Sequence, residues 1–216
     1  MKPLRILITA GPTIEPIDPV RFISNRSTGR MGYEMARIAV QKKHKVTLIS
    51  GPSRESKPAG AKIVHIETAR QLQKEIRRRL KKFNALIMAS AVSDFRPELF
   101  SAKKIKLKKR LTLTFFKNTD ILESIRKKER KGRILVGFAL ETENLIKNAY
   151  KKLKNKKLDL IAANGIGPRN TPFGRGKKDI YLLDKRGVRK KLKNTTKTAI
   201  ARAILDTVEE LCYTSN

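Results

Sequence analysis

Short apolar runs alternate along the chain with longer stretches whose apolar residues fall three or four apart. Arg5–Ala10 (RILITA) is the first run; Gly11-Pro12 closes it, and it reads as a buried strand. The residues from there to Thr28 show no clean period. Met31, Met35, Ile38 and Ala39 then predict a helix over 31–40. Strands are predicted at Lys45–Ser50, stopped by Gly51-Pro52, and at 62–66. A helix over 69–83 follows with Leu72, Ile76 and Leu80 on one stripe, and then a strand over 85–89.

The alternation breaks at residues 90–117, where a loop and a basic stretch lead to the β-rich run LTLTFF at 111–116. Leu111, Leu113 and Phe115 there suit a strand buried on one face. Thr119 or Asp120 can cap a helix over 121–130. A strand is predicted at 134–138, a helix capped by Thr142 at 142–154, and a strand at 158–163. A Gly/Pro-rich loop precedes a hairpin at 180–183 and 188–192 around Lys185-Arg186-Gly187, and a terminal helix begins at Asn194 or Thr195. Repeated strand–helix alternation predicts an α/β fold: a mostly parallel sheet with helices on both faces. With no internal repeat and no linker, residues 1–216 are expected to form one domain. Ligands of such sheets bind at the carboxyl ends of the strands, which picks out 11–32, 90–106, 138–142 and 164–178.

Charge changes this picture most. The chain has 216 residues with 51 Lys+Arg against 19 Asp+Glu, a formal charge of +32. Such an excess makes nucleic acid the first suspect partner; it equally fits a site for small polyphosphates or a lysine-biased proteome with no functional meaning. The basic residues are spread over 77–82, 103–110, 126–133, 147–157 and 185–193, so they mark no single groove. Aromatic residues are 6% with no Trp, there is no clear recognition helix, and only non-specific nucleic-acid binding is expected. A single cysteine, Cys212, excludes a disulfide framework and a multi-Cys zinc site; it reads as an inert apolar position, and His44 and His65 as structural. No apolar run approaches the ~20 residues of a membrane span, and the N-terminus lacks a secretory h-region, so a cytoplasmic protein is expected. Gly11, Gly29 and Gly32 echo a dinucleotide fingerprint. The long insert between Gly11 and Gly29 argues against an NAD(P) oxidoreductase, whose glycines keep strand and helix almost adjacent.

That insert carries more specific information. The stretch ITAGPTIEPIDPVRFISNRSTGRMGYEMA resembles the N-terminal signature of the phosphopantothenate–cysteine ligases, and ASAVSDFRP, AKKIKLKK, FFKNTDIL, VGFALET and KKLDLIAAN continue the resemblance in order along nearly the whole chain. In bacteria this activity is usually the C-terminal half of a bifunctional coenzyme A biosynthesis protein. The resemblance implies a Rossmann-like three-layer sandwich with a β arm at about 95–118 and a C-terminal hairpin. The arm would pair with a second subunit in a homodimer. It also implies a two-step reaction in which CTP activates the carboxylate of 4′-phosphopantothenate as an acyl-cytidylate, releasing pyrophosphate, and the amine of cysteine displaces CMP. Mg²⁺ (or Mn²⁺) would accompany CTP. No FMN is expected, because the flavin-dependent decarboxylase half is missing; decarboxylation would fall to a separate chain or a removed segment.

Carried over residue by residue, the resemblance gives Asn25 a role in stabilising the acyl-cytidylate and its conversion, and Lys104 a contact with the phosphates and the activated acyl group. Gly11, Ser27 and Gly29 would border the nucleotide. Met88, Ala89 and Ser90 match the strand end that lines it. Asp94 would bind through the ribose or the cation, and Thr119, Asp120, Ile121 and Leu122 form a helix start suited to backbone donors. Phe138 matches a nucleotide-contacting residue. Lys152 and Lys156, four apart, could face a phosphate together. Each has a plainer reading: a loop-holding Asn, solvated lysines, a core Phe. The chain also departs from the family pattern at Pro12, Arg30, Thr119 and Gly165, and puts basic residues into the loop after Gly165 where relatives often have acidic ones. No cation ligand is assigned.

Overall fold

The computed structural model describes residues 2–106, 110–128, 132–167 and 176–214. β1 (Arg5–Ala10) is buried at every residue but Arg5, as the apolar run predicts. β2 (Ile14–Pro16) and β3 (Phe22–Ser24) pair antiparallel inside the stretch that has no hydrophobic period. α1 (Arg30–Gln41), β4 (Lys45–Ser50) and β5 (Lys62–His65) follow. α2 (Ala69–Arg79) starts on a reciprocal cap between Thr68 and Gln71 and ends in a single 3-10 turn at Leu80–Lys82. β6 (Ala85–Met88) precedes an antiparallel ribbon of β7 (Phe95–Pro97) and β8 (Phe115–Lys117). α3 (Ile121–Lys128), β9 (Ile134–Glu141), α4 (Leu145–Asn155), β10 (Leu160–Gly165), β11 (Lys178–Asp184), β12 (Gly187–Thr195) and α5 (Lys197–Thr214) complete the chain.

The main sheet runs β12-β11-β10-β9-β6-β1-β4-β5. β5 through β10 in that order are parallel, and β11 and β12 are antiparallel. Alternate residues of β1 divide the core. Ile6, Ile8 and Ala10 face α1 and α5 through Met35, Ile38, Ile200 and Ile204. Leu7 faces the opposite side, where Leu72, Ile76, Ile125 and Leu153 of α2, α3 and α4 pack. The result is the expected three-layer sandwich.

Three local expectations are corrected. The run at 111–116 does not form one strand: only Phe115–Lys117 pairs, because β7 offers a three-residue partner, and Leu111 is left exposed with Leu113 half-buried. Thr142 does not cap α4. β9 continues to Glu141 against Gly165, and the helix starts behind Asn144 at φ 48°. Neither Asn194 nor Thr195 caps α5, since both belong to β12; Thr196 Oγ1 accepts from the Ala199 N–H at 3.2 Å instead. The predicted end of α3 at Arg130, residues 107–109 of the arm and residues 168–175 of the Gly/Pro-rich loop lie outside the described residues.

His44 is structural as expected. Its Nδ1 accepts from the Leu4 N–H at 3.2 Å, so Nε2 carries the proton shared with Glu209 at 2.7 Å. His65 instead stands exposed at the end of β5, where its side chain is not part of the core. Cys212 is half-buried, and burial, with Asp159 and Glu209 nearby, pushes its thiol up to about 11. It is therefore protonated and unreactive near neutral pH.

Close packing of α1 on β1 is what the glycines provide. Gly29 sits at φ 82°, and a Cβ at Gly32 would lie 2.6 Å from Ala10 Cβ and 2.7 Å from the Thr9 carbonyl oxygen. Gly32→Ala should therefore force α1 off the sheet and lower the unfolding free energy by about 1–3 kcal/mol, read as a lower urea midpoint; an unchanged midpoint would mean that α1 gives way freely.

Candidate active site

β1 and β6 are neighbours, yet the chain leaves β1 towards β4 and β6 towards β9. The connections therefore part at their carboxyl ends and leave a crevice. A cavity of about 430 Å³ occupies it. Its walls are the strand end Met88–Ser90, the loop on to Asp94, the start of α1 from Ser27 to Met31, the start of α3 from Lys117 to Leu122, Phe138, and the basic residues Lys152, Lys156, Lys178 and Lys197.

The wall loop is pinned across the crevice. The Ala91 N–H donates to the Gly11 carbonyl at 3.0 Å, the Thr13 N–H donates to the Ala91 carbonyl at 3.1 Å, and the Ser93 N–H donates to Thr13 Oγ1 at 2.9 Å. Asn118 Nδ2 donates to the Ser93 carbonyl at 2.9 Å, tying the start of α3 to the same loop. Among the described residues, Ser90 Oγ on this wall is buried with no hydrogen-bond partner. A buried hydroxyl in that state costs about 1–3 kcal/mol, a cost that a ligand in the cavity would remove.

Of the residues singled out from the sequence, Ser27, Gly29, Met88, Ala89, Ser90, Asp94, Thr119, Asp120, Ile121, Leu122, Phe138, Lys152 and Lys156 all line this cavity. Gly11 does not line it but lies beneath it, where a Cβ on Gly29 would be 3.1 Å from the Gly11 nitrogen. Asn25 is exposed and does not line it either. Its Nδ2 donates to the Ala91 carbonyl at 3.1 Å, so the side chain bonds to the cavity wall rather than to its own loop. Phe138 packs on the core and borders the cavity at once. Lys152 and Lys156 already hold carboxylates, Glu141 at 2.6 Å and Asp120 at 2.8 Å. Asp120 also accepts from the Glu123 N–H at 3.0 Å and so caps α3. Burial acts to raise its carboxyl, but the Glu123 N–H and Lys156 outweigh it and hold the group below the usual carboxylate range.

Lys104 is exposed and does not line the cavity. Its position is nevertheless fixed by its neighbour. The Ile105 N–H donates to Asp18 Oδ2 at 3.1 Å, and the Arg21 guanidinium donates to the Ile105 carbonyl. Asp18, 3% exposed, accepts in addition from the Val20 and Arg21 N–H groups at 2.8 Å each. The insert thus clamps the basic loop by both polar groups of one peptide residue.

Sequence reasoning missed Lys117, Asn118, Asn164, Lys178, Ile180, Lys197 and Ile200 as cavity residues. Lys178 and Lys197 carried no local signal that separates them from the other basic residues; strand pairing brings them to the site. Among the described residues no group of three metal-ligating side chains occurs, and no helix is long and apolar enough to cross a membrane.

A doubly wound sheet with a cavity at its crossover, bordered by Lys152, Lys156, Lys178 and Lys197, defines an α/β domain of the nucleotide-binding type. The chain belongs to the family described as the DNA/pantothenate metabolism flavoprotein C-terminal domain, which matches residues 1–212. It is 40% identical over 208 residues to the coenzyme A biosynthesis bifunctional protein CoaBC of Borreliella burgdorferi, a match covering 95% of this chain and 52% of that protein. The chain therefore spans about half the length of the curated relatives it matches. Among solved structures, the C-terminal domain of a CoaBC superposes with a TM-score of 0.83 at 32% identity, covering 98% of this chain and 96% of that one. The DNA/pantothenate metabolism flavoprotein from Streptococcus pneumoniae superposes with a TM-score of 0.84 at 26% identity, covering 96% and 99%.

The Asp18 clamp makes a pH prediction. Burial acts to raise its carboxyl, but the N–H groups of Val20, Ile105 and Arg21 and the Arg21 guanidinium prevail and hold it well below the usual range. A carboxyl lowered on folding contributes stability that is complete above its unfolded value near 4 and is lost as pH falls through the folded value. Asp18→Asn should lower Tm at pH 7 and flatten the decline of Tm below pH 4. Identical acid melting profiles for the two proteins would contradict the clamp.

Proposed function

We propose that this chain, as one domain, is a phosphopantothenate–cysteine ligase that uses CTP and acts in coenzyme A biosynthesis. The observation that carries the reading is the crossover cavity: residues of the family's motifs from five separate parts of the chain line it together, in a protein 40% identical to a coenzyme A biosynthesis enzyme over 95% of its length.

The nucleotide base and ribose lie against Met88–Ser90, Phe138 and Asp94, and the first-turn N–H groups of α3 face its polar edge. The triphosphate points to the start of α1. A carboxylate oxygen of 4′-phosphopantothenate attacks the α-phosphorus, the bond to the bridging oxygen breaks, and pyrophosphate leaves. The cysteine amine then attacks the acyl carbon and CMP departs with the former carboxylate oxygen. Asn25, anchored through Nδ2 to Ala91, presents its amide at the acyl group, and Lys104, held by the clamp on Ile105, brings a positive charge to the same place. No protein nucleophile is required.

A divalent cation would supply charge neutralisation on the triphosphate. Asp94 fits it: its carboxylate is on the cavity wall, exposed, and has no ion pair among the described residues. One carboxylate plus substrate phosphates is how Mg²⁺ is usually held. Ligation transfers no electrons, so the reaction assigned here uses no FMN, and decarboxylation of the product falls to another domain or chain. We assign the protein to the cytoplasm, where nucleoside triphosphates are held.

A homodimer is part of the proposal. The ribbons β2–β3 and β7–β8 and the segments beside them expose Val20 (59%), Phe22 (54%), Phe95 (55%), Leu99 (79%), Phe100 (60%) and Phe116 (49%). Apolar side chains concentrated in this way mark an association surface. Light scattering should give twice the 24.5 kDa chain mass, and Leu99→Asp with Phe100→Asp should give the monomer; a monomeric parent protein would overturn this part.

Pyrophosphate release tests the activity. It should require CTP and 4′-phosphopantothenate together, proceed faster with CTP than with ATP, and yield the cysteine amide when cysteine is added. Loss of the Asn25 amide donor should slow the amide-forming step by about 10²-fold in Asn25→Asp, with acyl-cytidylate formation retained. Equal loss of both half-reactions would contradict the role of Asn25. Pyrophosphate release that ignores phosphopantothenate would contradict the function.

A further inference from the structure

Glu15, in the middle of β2, is 4% exposed and does not line the cavity. Its Oε1 accepts at 2.9 Å from the N–H of Ala69, the first residue of α2. Thr68 spends its own side chain on the Gln71 N–H, so a carboxylate from a distant part of the chain satisfies a second N–H at the positive end of that helix. The side chains of Thr13 and Asn118 also hydrogen-bond to Glu15, and the Arg96 guanidinium of β7 attracts it.

Thr13 and Asn118 are the two side chains that grip Ser93, by its N–H and by its carbonyl, at 2.9 Å each. The Asn118 backbone N–H also donates to the Asp94 carbonyl at 2.7 Å, and both Asn118 and Asp94 line the cavity. Thr13 Oγ1 accepts from Ser93, so its one proton is free for Glu15. Asn118 has two amide hydrogens, one for Ser93 and one for Glu15, while its Oδ1 accepts from Arg96 at 3.2 Å. A reversed amide would set Oδ1 against the Ser93 carbonyl. Ala69, Thr13 and Asn118 all donate, so the acceptor-only carboxylate fits this place, whereas an acid proton or an amide NH₂ would face a donor. Burial pushes the Glu15 carboxyl above the usual range, although Ala69, Thr13, Arg96 and Asn118 act to lower it. A carboxyl raised on folding gives up stability as pH climbs through its folded value. Its charge is therefore not explained by stability.

We propose that Glu15 is a positioning residue for the active site: by accepting from Thr13 and Asn118 together it fixes the Ser93 peptide, and with it the Asp94 wall on which the nucleotide rests, without touching substrate. That a nucleotide lies there rests on the ligase reading; the link from Glu15 to the wall does not. The same carboxylate holds the start of α2, so the insert, α2, the loop after β6 and the start of α3 meet at one buried charge. Removing it leaves the cavity its lining but frees the Thr13 hydroxyl and the Asn118 amide to turn.

Two measurements on the full chain test this. In steady-state ligation, Glu15→Gln should raise KM for CTP by about tenfold, as expected for loss of a charge-assisted hydrogen bond, with kcat changed by less than about threefold. Thr13→Val should act in the same direction, and Thr13→Ser, which keeps the hydroxyl, should recover most of the loss. The double variant Glu15→Gln, Thr13→Val should fall well short of the product of the two single effects, because one acts through the other. Effects that multiply, or a lowered Tm in Glu15→Gln with KM and kcat both parental, would make Glu15 a structural residue and overturn the proposal. So would a parental KM in Thr13→Val, whether or not Glu15→Gln folds. The second measurement needs no ligand. Hydrogen exchange at the Ser93 N–H should quicken by about tenfold or more in Glu15→Gln and in Thr13→Val. Unchanged exchange there would overturn the link even if ligation were observed. Faster exchange in a protein that performs no ligation would keep the link and remove the ligase reading.

Discussion

The site depends on one steric constraint, the depth to which α1 settles onto the end of β1. A Cβ at Gly32 would sit 2.6 Å from that of Ala10, so only a residue without a side chain allows the contact. Because α1 comes this close, its N-terminus opens into the crevice between β1 and β6 instead of standing off from the sheet. Gly29, at φ 82°, turns the chain into the helix immediately above Gly11. The loop after β6 then bonds to Gly11 and Thr13 and closes the far wall. Moving α1 outward would remove the helix end from the cavity and loosen that wall with it.

Charge is organised around this cavity in two ways. Lys152 and Lys156 are held in ion pairs with Glu141 and Asp120, so much of their field is spent within the protein until a ligand displaces a carboxylate. Arg30 and Lys197 sit instead at helix ends that already carry positive potential. A fixed, desolvated field of this kind acts on an anion without rearrangement at the moment of reaction. The +32 of the chain thus has a small, placed component, while its larger part lies on outer helix faces and turns.

Much of the sheet was legible in the sequence because parallel strands buried on both faces must be continuous apolar runs. RILITA, KVTLIS and ALIM are such runs, and they became β1, β4 and β6. The ribbons β2–β3 and β7–β8 were not legible. Each is three residues per strand and is held by side chains, such as Asp18 on Val20 and Arg21 and Asn118 on Ser93, which leave no hydrophobic period. At the site, thirteen residues carried by local motifs line one cavity, while Gly11, Asn25 and Lys104 do not. Lys178 and Lys197 were not found, since their proximity is created by the pairing of Lys178 with Thr195. The grip of Asp18 on Ile105 spans 87 residues and was equally invisible.

The central claim is that this cavity activates a carboxylate by nucleotidyl transfer. It is tested most directly with 4′-phosphopantothenate carrying ¹⁸O in its carboxylate, turned over with CTP and cysteine and followed by mass spectrometry. The account predicts one labelled oxygen in CMP and none in pyrophosphate. Label in inorganic phosphate alongside a nucleoside diphosphate, or amide formed with no transfer of label to the nucleotide, would contradict it.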